Sequence, residues 1–239
     1  MHVENLERLK SLDVGKSDHN YIVYKFLFAD LKQAISANAQ GDVLDIGCGN
    51  KPYLPFFEGK INSYTGCDII QSDKQLVDII CPATEIPLPD NTKDTVFTTQ
   101  VIEHVADHRK LLSEAFRILK PGGCLILSGP MAWEHHEEPY DFFRFTKYGF
   151  EYILNETGFT DITITPNGGK WAMVGQLLHN SLRSSCYGKK STRARVLKGF
   201  YYVFRVKWII NTLFAWLDKI DKDYSSTLNF VVVARKPAN

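Results

Sequence analysis

"VLDIGCGNKPY", residues 43–53, is the stretch whose reading decides the fold. Val43, Leu44 and Ile46 form an apolar run with Asp45 inside it. The run ends in Gly47-Cys48-Gly49, followed by Asn50-Lys51-Pro52. A short buried strand that opens into a glycine turn is how parallel sheets bring backbone close to a nucleotide. A dinucleotide fingerprint would need a third glycine where Pro52 stands. That glycine permits close packing of helix on strand, which proline does not. The GxxxxGK[ST] loop that cradles phosphates is also missing. The turn therefore points away from NAD and ATP and toward a nucleoside ligand without a pyrophosphate. Asp68, nineteen residues after Gly49, closes the next predicted strand. A carboxylate there can accept hydrogen bonds from both ribose hydroxyls.

Working outward, the chain of 239 residues is 44% hydrophobic with a net charge of +1. This suits one large domain, or one domain with an added subdomain, and no overall charge recommends nucleic acid as a partner. Five cysteines, Cys48, Cys67, Cys81, Cys124 and Cys186, form no CxxC pair and read as small buried thiols. The charged start "MHVENLERLK" has no apolar stretch, so no signal peptide is expected and a cytoplasmic location is. The spacing of Tyr21, Tyr24, Phe28 and Leu31 predicts a helix over 18–38 with Asp18 as its cap. Strands are predicted at 42–47, 63–70, 76–80, 94–102, 124–130, 160–166 and 228–237. Helices are predicted at 107–120, capped by Asp107, and at 146–158, opened by Thr146 and closed by Gly158. Alternation of this kind argues for α/β architecture with a mostly parallel sheet.

Four motifs in order then carry a resemblance. "VLDIGCG", "YTGCDI", "IPLPDNTKDTVFTTQVIEHV" and "LLSEAFRILKPGGCLILSGP" resemble the class I S-adenosylmethionine-dependent methyltransferases, in particular the type 11 group. The resemblance covers roughly residues 41–159 and the last strand. It implies a Rossmann-like seven-stranded sheet of order 3-2-1-4-5-7-6, with only the seventh strand antiparallel and helices on both faces. It implies S-adenosyl-L-methionine as cofactor. Asp45, Gly47, Cys48 and Gly49 would shape the pocket for its methionine part, Asp68 would bind the ribose, Ile69 would pack on the adenine, and Gln100 would lie near the amino acid end. Relatives often carry an acid where this chain has Pro82, so the adenine contact would fall to the Ala83 backbone or to Glu85.

The acceptor side is expected in the loop "GPMAWEHHEEPYDFFRFT", residues 129–146. His135, His136 and Asp141 are the candidate catalytic residues, because a hydroxyl acceptor benefits from a general base and histidine serves at neutral pH. His104, Trp133, Tyr140 and Arg144 are the candidate substrate contacts: aromatic walls and a cation for an anion. The bland alternative is that "YDFFRF" docks the next helix with Arg144 and Asp141 paired. No metal is expected of "EHHEE", residues 134–138, since neighbours in an extended loop face different ways. No "NPPY" segment argues for amino-group methylation of bases, and Cys81-Pro82 is not the Pro-Cys of cytosine-C5 enzymes.

Residues 162–217 hold no acid but nine bases: Lys170, Arg183, Lys189, Lys190, Arg193, Arg195, Lys198, Arg205 and Lys207. "VLKGFYYVFRVKWIINTLFAWL", residues 196–217, is apolar almost all round a helical wheel. It has three readings: a buried lid or dimer helix, a surface lying on an anionic membrane, or a basic face for an acidic substrate or RNA. The expected organisation is an N-terminal helical segment or lid (1–40), a methyltransferase core (41–165 and 225–239) and a basic helical insertion or cap (166–224). The expected function is methyl transfer to a hydroxyl or similar nucleophile on a small-molecule, sugar or lipid-linked acceptor. An RNA methyltransferase and a non-catalytic methyltransferase-like binding protein are the alternatives. Peripheral contact with the inner face of a membrane through 183–217 and a homo-oligomer are further expectations, and nucleic acid is not an expected partner.

Overall fold

A computed structural model describes residues 12–186 and 192–238. Seven strands form one sheet: β1 (Gly41–Ile46), β2 (Ile61–Asp68), β3 (Ile79–Ile80), β4 (Lys93–Thr99), β5 (Leu119–Pro130), β6 (Thr160–Asn167) and β7 (Asn229–Arg235). Their order is β3-β2-β1-β4-β5-β7-β6, and β7 runs antiparallel to both of its neighbours. Among the described residues six α-helices accompany the sheet: α1 (Tyr21–Asn38), α2 (His108–Ile118), α3 (Lys147–Thr157), α4 (Lys170–Cys186), α5 (Thr192–Val203) and α6 (Val206–Ile220).

Side chains alternate across the sheet and so build two cores. On one face, Leu44, Ile46, Val96, Leu125, Leu127 and Val232 meet Leu111, Leu112 and Ala115 of α2 and Phe150 and Leu154 of α3. On the other, Val43, Phe97, Cys124, Ile126 and Val231 meet Leu27, Phe28, Leu31 and Ile35 of α1. Central strands buried on both faces read as nearly continuous apolar runs, which is why "VLDI" and "CLIL" carry so little polarity.

Local signals set the helix ends. Asp107 caps α2 through the Lys110 amide and Thr146 caps α3 through that of Gly149, while Gly158 closes α3 in the left-handed region at φ 102°. Four expectations shift. Helix α1 begins at Tyr21 and not at 18; the Asp18 carboxylate instead accepts from the Gly15 amide, 2.5 Å away. Its buried stripe is centred on Ile22, Val23, Leu27 and Leu31, leaving Tyr21 and Tyr24 half-buried at the edge. Helix α2 ends at Ile118, because Leu119 is already extended and enters β5 ahead of the Pro-Gly-Gly. The continuous helix read over 196–217 is broken at Arg205, whose φ of 49° turns the chain between α5 and α6.

The segment expected as an N-terminal lid contributes α1 to the packed core. The insertion between β6 and β7 docks on it through α4. Gly175 of α4 has no room for a Cβ, which would stand 2.5 Å from the Cβ of Phe214 in α6 and 2.9 Å from Cδ1 of Ile22 in α1. Asp218 of α6 accepts the amides of Gly169 and Ala172 at the start of α4. The start "MHVENLERLK", together with Lys189 and Lys190, lies outside the described residues, as does the side chain of Cys186. The other four cysteines are buried free thiols. No helix among the described residues is long and apolar enough to cross a membrane.

Candidate active site

The strand order reverses between β1 and β4, the place where open parallel sheets bind ligands at the carboxyl ends of their strands. A cavity of about 640 Å³ opens there. It is lined by the turn after β1 (Gly47, Cys48, Gly49, Asn50, Pro52), by Asp45, by Asp68 and Ile69 at the end of β2, by Ala83, and by Gln100 and His104 after β4. Trp133, Glu134, His136, Glu137 and Tyr140 reach it from the loop after β5.

The glycine turn is shaped by close approach. Gly47 has φ 75°, and a Cβ on it would stand 2.3 Å from Cγ2 of Val101. Asp68 is buried, and its two oxygens accept the amides of Gly49 at 3.0 Å and Ile69 at 2.7 Å. The two oxygens together hold four lone pairs, so the carboxylate can still accept a hydroxyl. Burial raises the Asp68 carboxyl above its usual range, opposed by the amides of Gly49, Ile69 and Ile70. Asp45 is fully enclosed and takes the Tyr64 hydroxyl at 2.6 Å. Burial pushes its carboxyl up to about 7, against the Tyr64 hydrogen bond. Gln100 holds φ 55°, its amide nitrogen donating to the Ser128 carbonyl and its side chain to the Ser128 hydroxyl at 3.0 Å. A non-glycine residue in this region is held by its surroundings, here by β5.

On the acceptor side the loop is tied together by Arg144. Its five N–H groups go to the carbonyls of Trp133, Phe143 and Glu134 and, twice, to the Asp141 carboxylate. Burial would raise the Asp141 carboxyl, but Arg144 and the His136 amide outweigh it and hold the group well below its usual range. His136 is oriented by this frame. Its Nδ1 lies 3.2 Å from the Glu134 carbonyl and 3.4 Å from Asp141. Burial, then the neighbouring His104, keep the ring below the usual histidine range. The two rings meet edge to face at 4.7 Å. Beneath them Glu103 is fully buried, and burial raises its carboxyl to about 8.

The structure thus brings together Asp45, Gly47, Cys48, Gly49, Asp68, Ile69, Ala83, Gln100, His104, Trp133, His136 and Tyr140. Four expected site residues lie elsewhere. Glu85 is exposed, turned to solvent by the bend in which its amide meets the Pro82 carbonyl. The His135 side chain is 86% exposed and stands beside Glu138, because successive residues of the extended loop face opposite ways. Asp141 and Arg144 pair with each other off the cavity wall, the bland alternative for this segment, so Arg144 has no donor left for a substrate anion. The cation on the cavity is Arg183 of α4, paired with Glu134 at 2.6 Å. His19 and Tyr24, before and within the first turns of α1, also line it. Arg183 stood among the nine bases, and Tyr24 in the α1 periodicity; His19 left no signal.

This sheet order, with a glycine turn and a strand-end acid on a cavity at the switch point, defines the class I S-adenosylmethionine-dependent methyltransferase fold. Residues 44–127 match the family model described as a methyltransferase domain. The matched span holds the glycine turn, where a Cβ on Gly47 would collide with Cγ2 of Val101, and the Asp68 carboxylate beside it. A demethylmenaquinone methyltransferase of Bacillus licheniformis is 32% identical over 99 residues, 40% of this chain and 39% of that one. A solved S-adenosylmethionine-dependent methyltransferase of Archaeoglobus fulgidus superposes with a TM-score of 0.56 at 20% identity, covering 89% of this chain and 94% of that one. Phosphoethanolamine N-methyltransferase 2 of Haemonchus contortus, solved with S-adenosyl-L-methionine, gives 0.56 at 21% identity, covering 99% of this chain and 60% of that one. The chain spans about half the length, or less, of the curated relatives it matches.

Proposed function

We propose that this chain is an S-adenosylmethionine-dependent methyltransferase acting on a hydroxyl or similar nucleophile of a small-molecule, sugar or lipid-linked acceptor. The observation that carries the reading is a single cavity shared by the donor-side turn with Asp68 and by His104, Trp133, His136 and Tyr140. The cofactor supplies a methyl group already activated on a sulfonium. What remains for the protein is alignment, an effect worth roughly 7–11 kcal/mol. Asp68 and the glycine turn would fix the ribose and methionine ends, and Ile69, 55% exposed at the cavity, offers a flat apolar surface for the adenine. Trp133 and Tyr140 would wall the acceptor, with the His104 and His136 imidazoles beside its reacting oxygen.

Calorimetry with S-adenosylmethionine and S-adenosylhomocysteine tests the cofactor half. Wild type should bind both, and Asp68→Ala should bind at least tenfold more weakly, since one lost charge-assisted contact is worth about 1.4 kcal/mol or more. No heat with either ligand removes the reading.

The lipid-linked branch draws on a separate observation. Phe200, Val203 and Phe204 of the α5 end, and Trp208, Ile209, Leu213, Trp216 and Ile220 of α6, are exposed. They stand in a segment whose charges up to Leu217 are all positive. Such a face suits an anionic lipid surface, where apolar residues enter the interface and Lys and Arg meet phosphate. Wild type should co-float with anionic liposomes at low salt, and the double variant Phe204→Ser, Trp216→Ser should not. A wild type that stays at the bottom of the gradient leaves only water-soluble acceptors.

A further inference from the structure

We propose that Glu103, His104 and His136 form a binding site for one divalent transition-metal ion, opening onto the acceptor side of the cavity. The methyltransferase reading gives the site its use; its geometry stands apart from that reading. One ligand atom from each of the three residues lies within 4.8 Å of the other two. Ligands at tetrahedral angles around an ion with bonds of about 2.1 Å stand about 3.4 Å apart. Closing the site therefore takes side-chain rotations that move the ligand atoms by up to about one ångström.

Two further observations point to a cation. Neither carboxylate oxygen of Glu103 takes a hydrogen bond from another described residue, although the side chain is fully buried. A buried carboxyl group that meets no hydrogen-bond partner from another residue calls for a physical explanation. Arg144 does not provide a hydrogen-bonded partner, since its five donors are spent on Asp141 and three carbonyls. The histidines, in turn, are already arranged as ligands. His104 Nδ1 lies 2.8 Å from the Tyr140 carbonyl and His136 Nδ1 lies 3.2 Å from that of Glu134. A carbonyl only accepts, so both Nδ1 atoms carry the proton and both Nε2 atoms keep the lone pair. A ring fixed by its second nitrogen in this way is the usual outer-shell support of a metal-binding histidine. His104 Nε2 stands 4.0 Å from Glu103 Oε1 and 3.7 Å from Oε2 of Glu137, which adds negative charge at the rim.

Two imidazole nitrogens and one carboxylate oxygen suit zinc, cobalt or manganese better than magnesium, which prefers oxygen alone. Three protein ligands leave positions open, the pattern of catalytic and not structural sites. Because His104 and His136 line the cavity, the open positions would take an oxygen of the acceptor, and coordination would acidify its hydroxyl.

The test uses the whole chain freed of metal with a chelator and titrated with Co(II), followed by visible absorption. One ion per chain is expected. Glu103→Gln and His136→Gln should each weaken the affinity tenfold or more while keeping the far-ultraviolet spectrum and S-adenosylmethionine binding of wild type. No saturable one-to-one Co(II) binding by wild type, or binding indifferent to both variants, overturns the proposal. S-adenosylmethionine calorimetry on the same samples separates the two readings. Cofactor binding without Co(II) binding sinks the metal site alone, and the reverse sinks the methyltransferase reading alone.

Discussion

Gly47 shows how one residue can be fixed twice, by conformation and by space. Its φ of 75° belongs to the left-handed region, and the Val101 methyl fills the place of a side chain. Gly47→Ala should leave the sheet folded by circular dichroism but weaken S-adenosylhomocysteine binding at least tenfold, because the turn must swing out to relieve the contact. Unchanged affinity would show that the turn does not shape the pocket. The cavity residues of the glycine turn and the β2 end were legible at this scale because they lie close together in sequence or at a fixed strand spacing. The acceptor side was legible in part. His136 was visible as a type of residue in a suggestive loop, but alternation along extended backbone separates it from His135, and no local pattern shows which one faces inward. Glu103 was not among the expected site residues, because the segment that meets it, at the amides of Phe142 and Phe143, arrives from further along the chain.

At the scale of elements, the insertion is held by a helix start. Glycine precedes α4, and the orphan amides of its first turn are met by Asp218 of α6, which accepts Gly169 at 3.0 Å and Ala172 at 2.9 Å. Asp218→Ala removes a cap supplied from another helix and leaves these amides buried. Urea unfolding should show a loss of about 1–3 kcal/mol; a change below a few tenths would mean that the cap carries no load. Strands β1, β4, β5 and β7 and helices α2 and α3 were readable because period, cap and glycine agree in each. The break at Arg205 was not. A left-handed arginine in an apolar run has no composition signal, and its cause is tertiary: α6 turns back to pack along α4, with Gly175 against Phe214. Strand β3 shrinks to two residues because it lies at the sheet edge and pairs only at Cys67 and Asp68.

Across the whole molecule, one buried histidine joins four segments. His179 of α4 has Nε2 2.9 Å from Asn211 Oδ1 in α6 and Nδ1 2.8 Å from the Tyr201 hydroxyl in α5. Asn211 uses its amide nitrogen on the carbonyls of Lys16 and Asp18, so its oxygen accepts, Nε2 is the protonated nitrogen, and Tyr201 donates to Nδ1. The ring is therefore neutral. Burial lowers it from 6.5 to about 4, with His19 and Lys207 adding to the shift and Asn211 opposing it. The unfolded chain takes up this proton below pH 6.5 and the folded one does not, so acidification from pH 6.5 to 4 costs stability. The full effect is on the order of 2–3 kcal/mol. Asp45, raised to about 7, acts in the opposite sense over the same range, so the comparison must be between proteins. His179→Gln should lose less stability than wild type between pH 6.5 and 4 in thermal unfolding. Parallel acid limbs would remove His179 as the cause. The fold class and the glycine-turn side of the cavity could be read from sequence because they rest on local pattern, whereas this knot and the side of the cavity after β5 depend on distant segments meeting.

The placing of β7 between β5 and β6 has a consequence for synthesis. Asn167 at the end of β6 pairs with Asn229 at the start of β7, and three helices are made between them. Until β7 leaves the ribosome, β6 has no strand partner and β5 presents an open edge whose Leu125, Ile126 and Leu127 are meant for burial. The nascent chain must therefore carry a sticky half-sheet through the making of three helices, the apolar α6 among them, and it is in this interval that a chaperone, or an early encounter with a lipid surface, would do the most to keep it from aggregating.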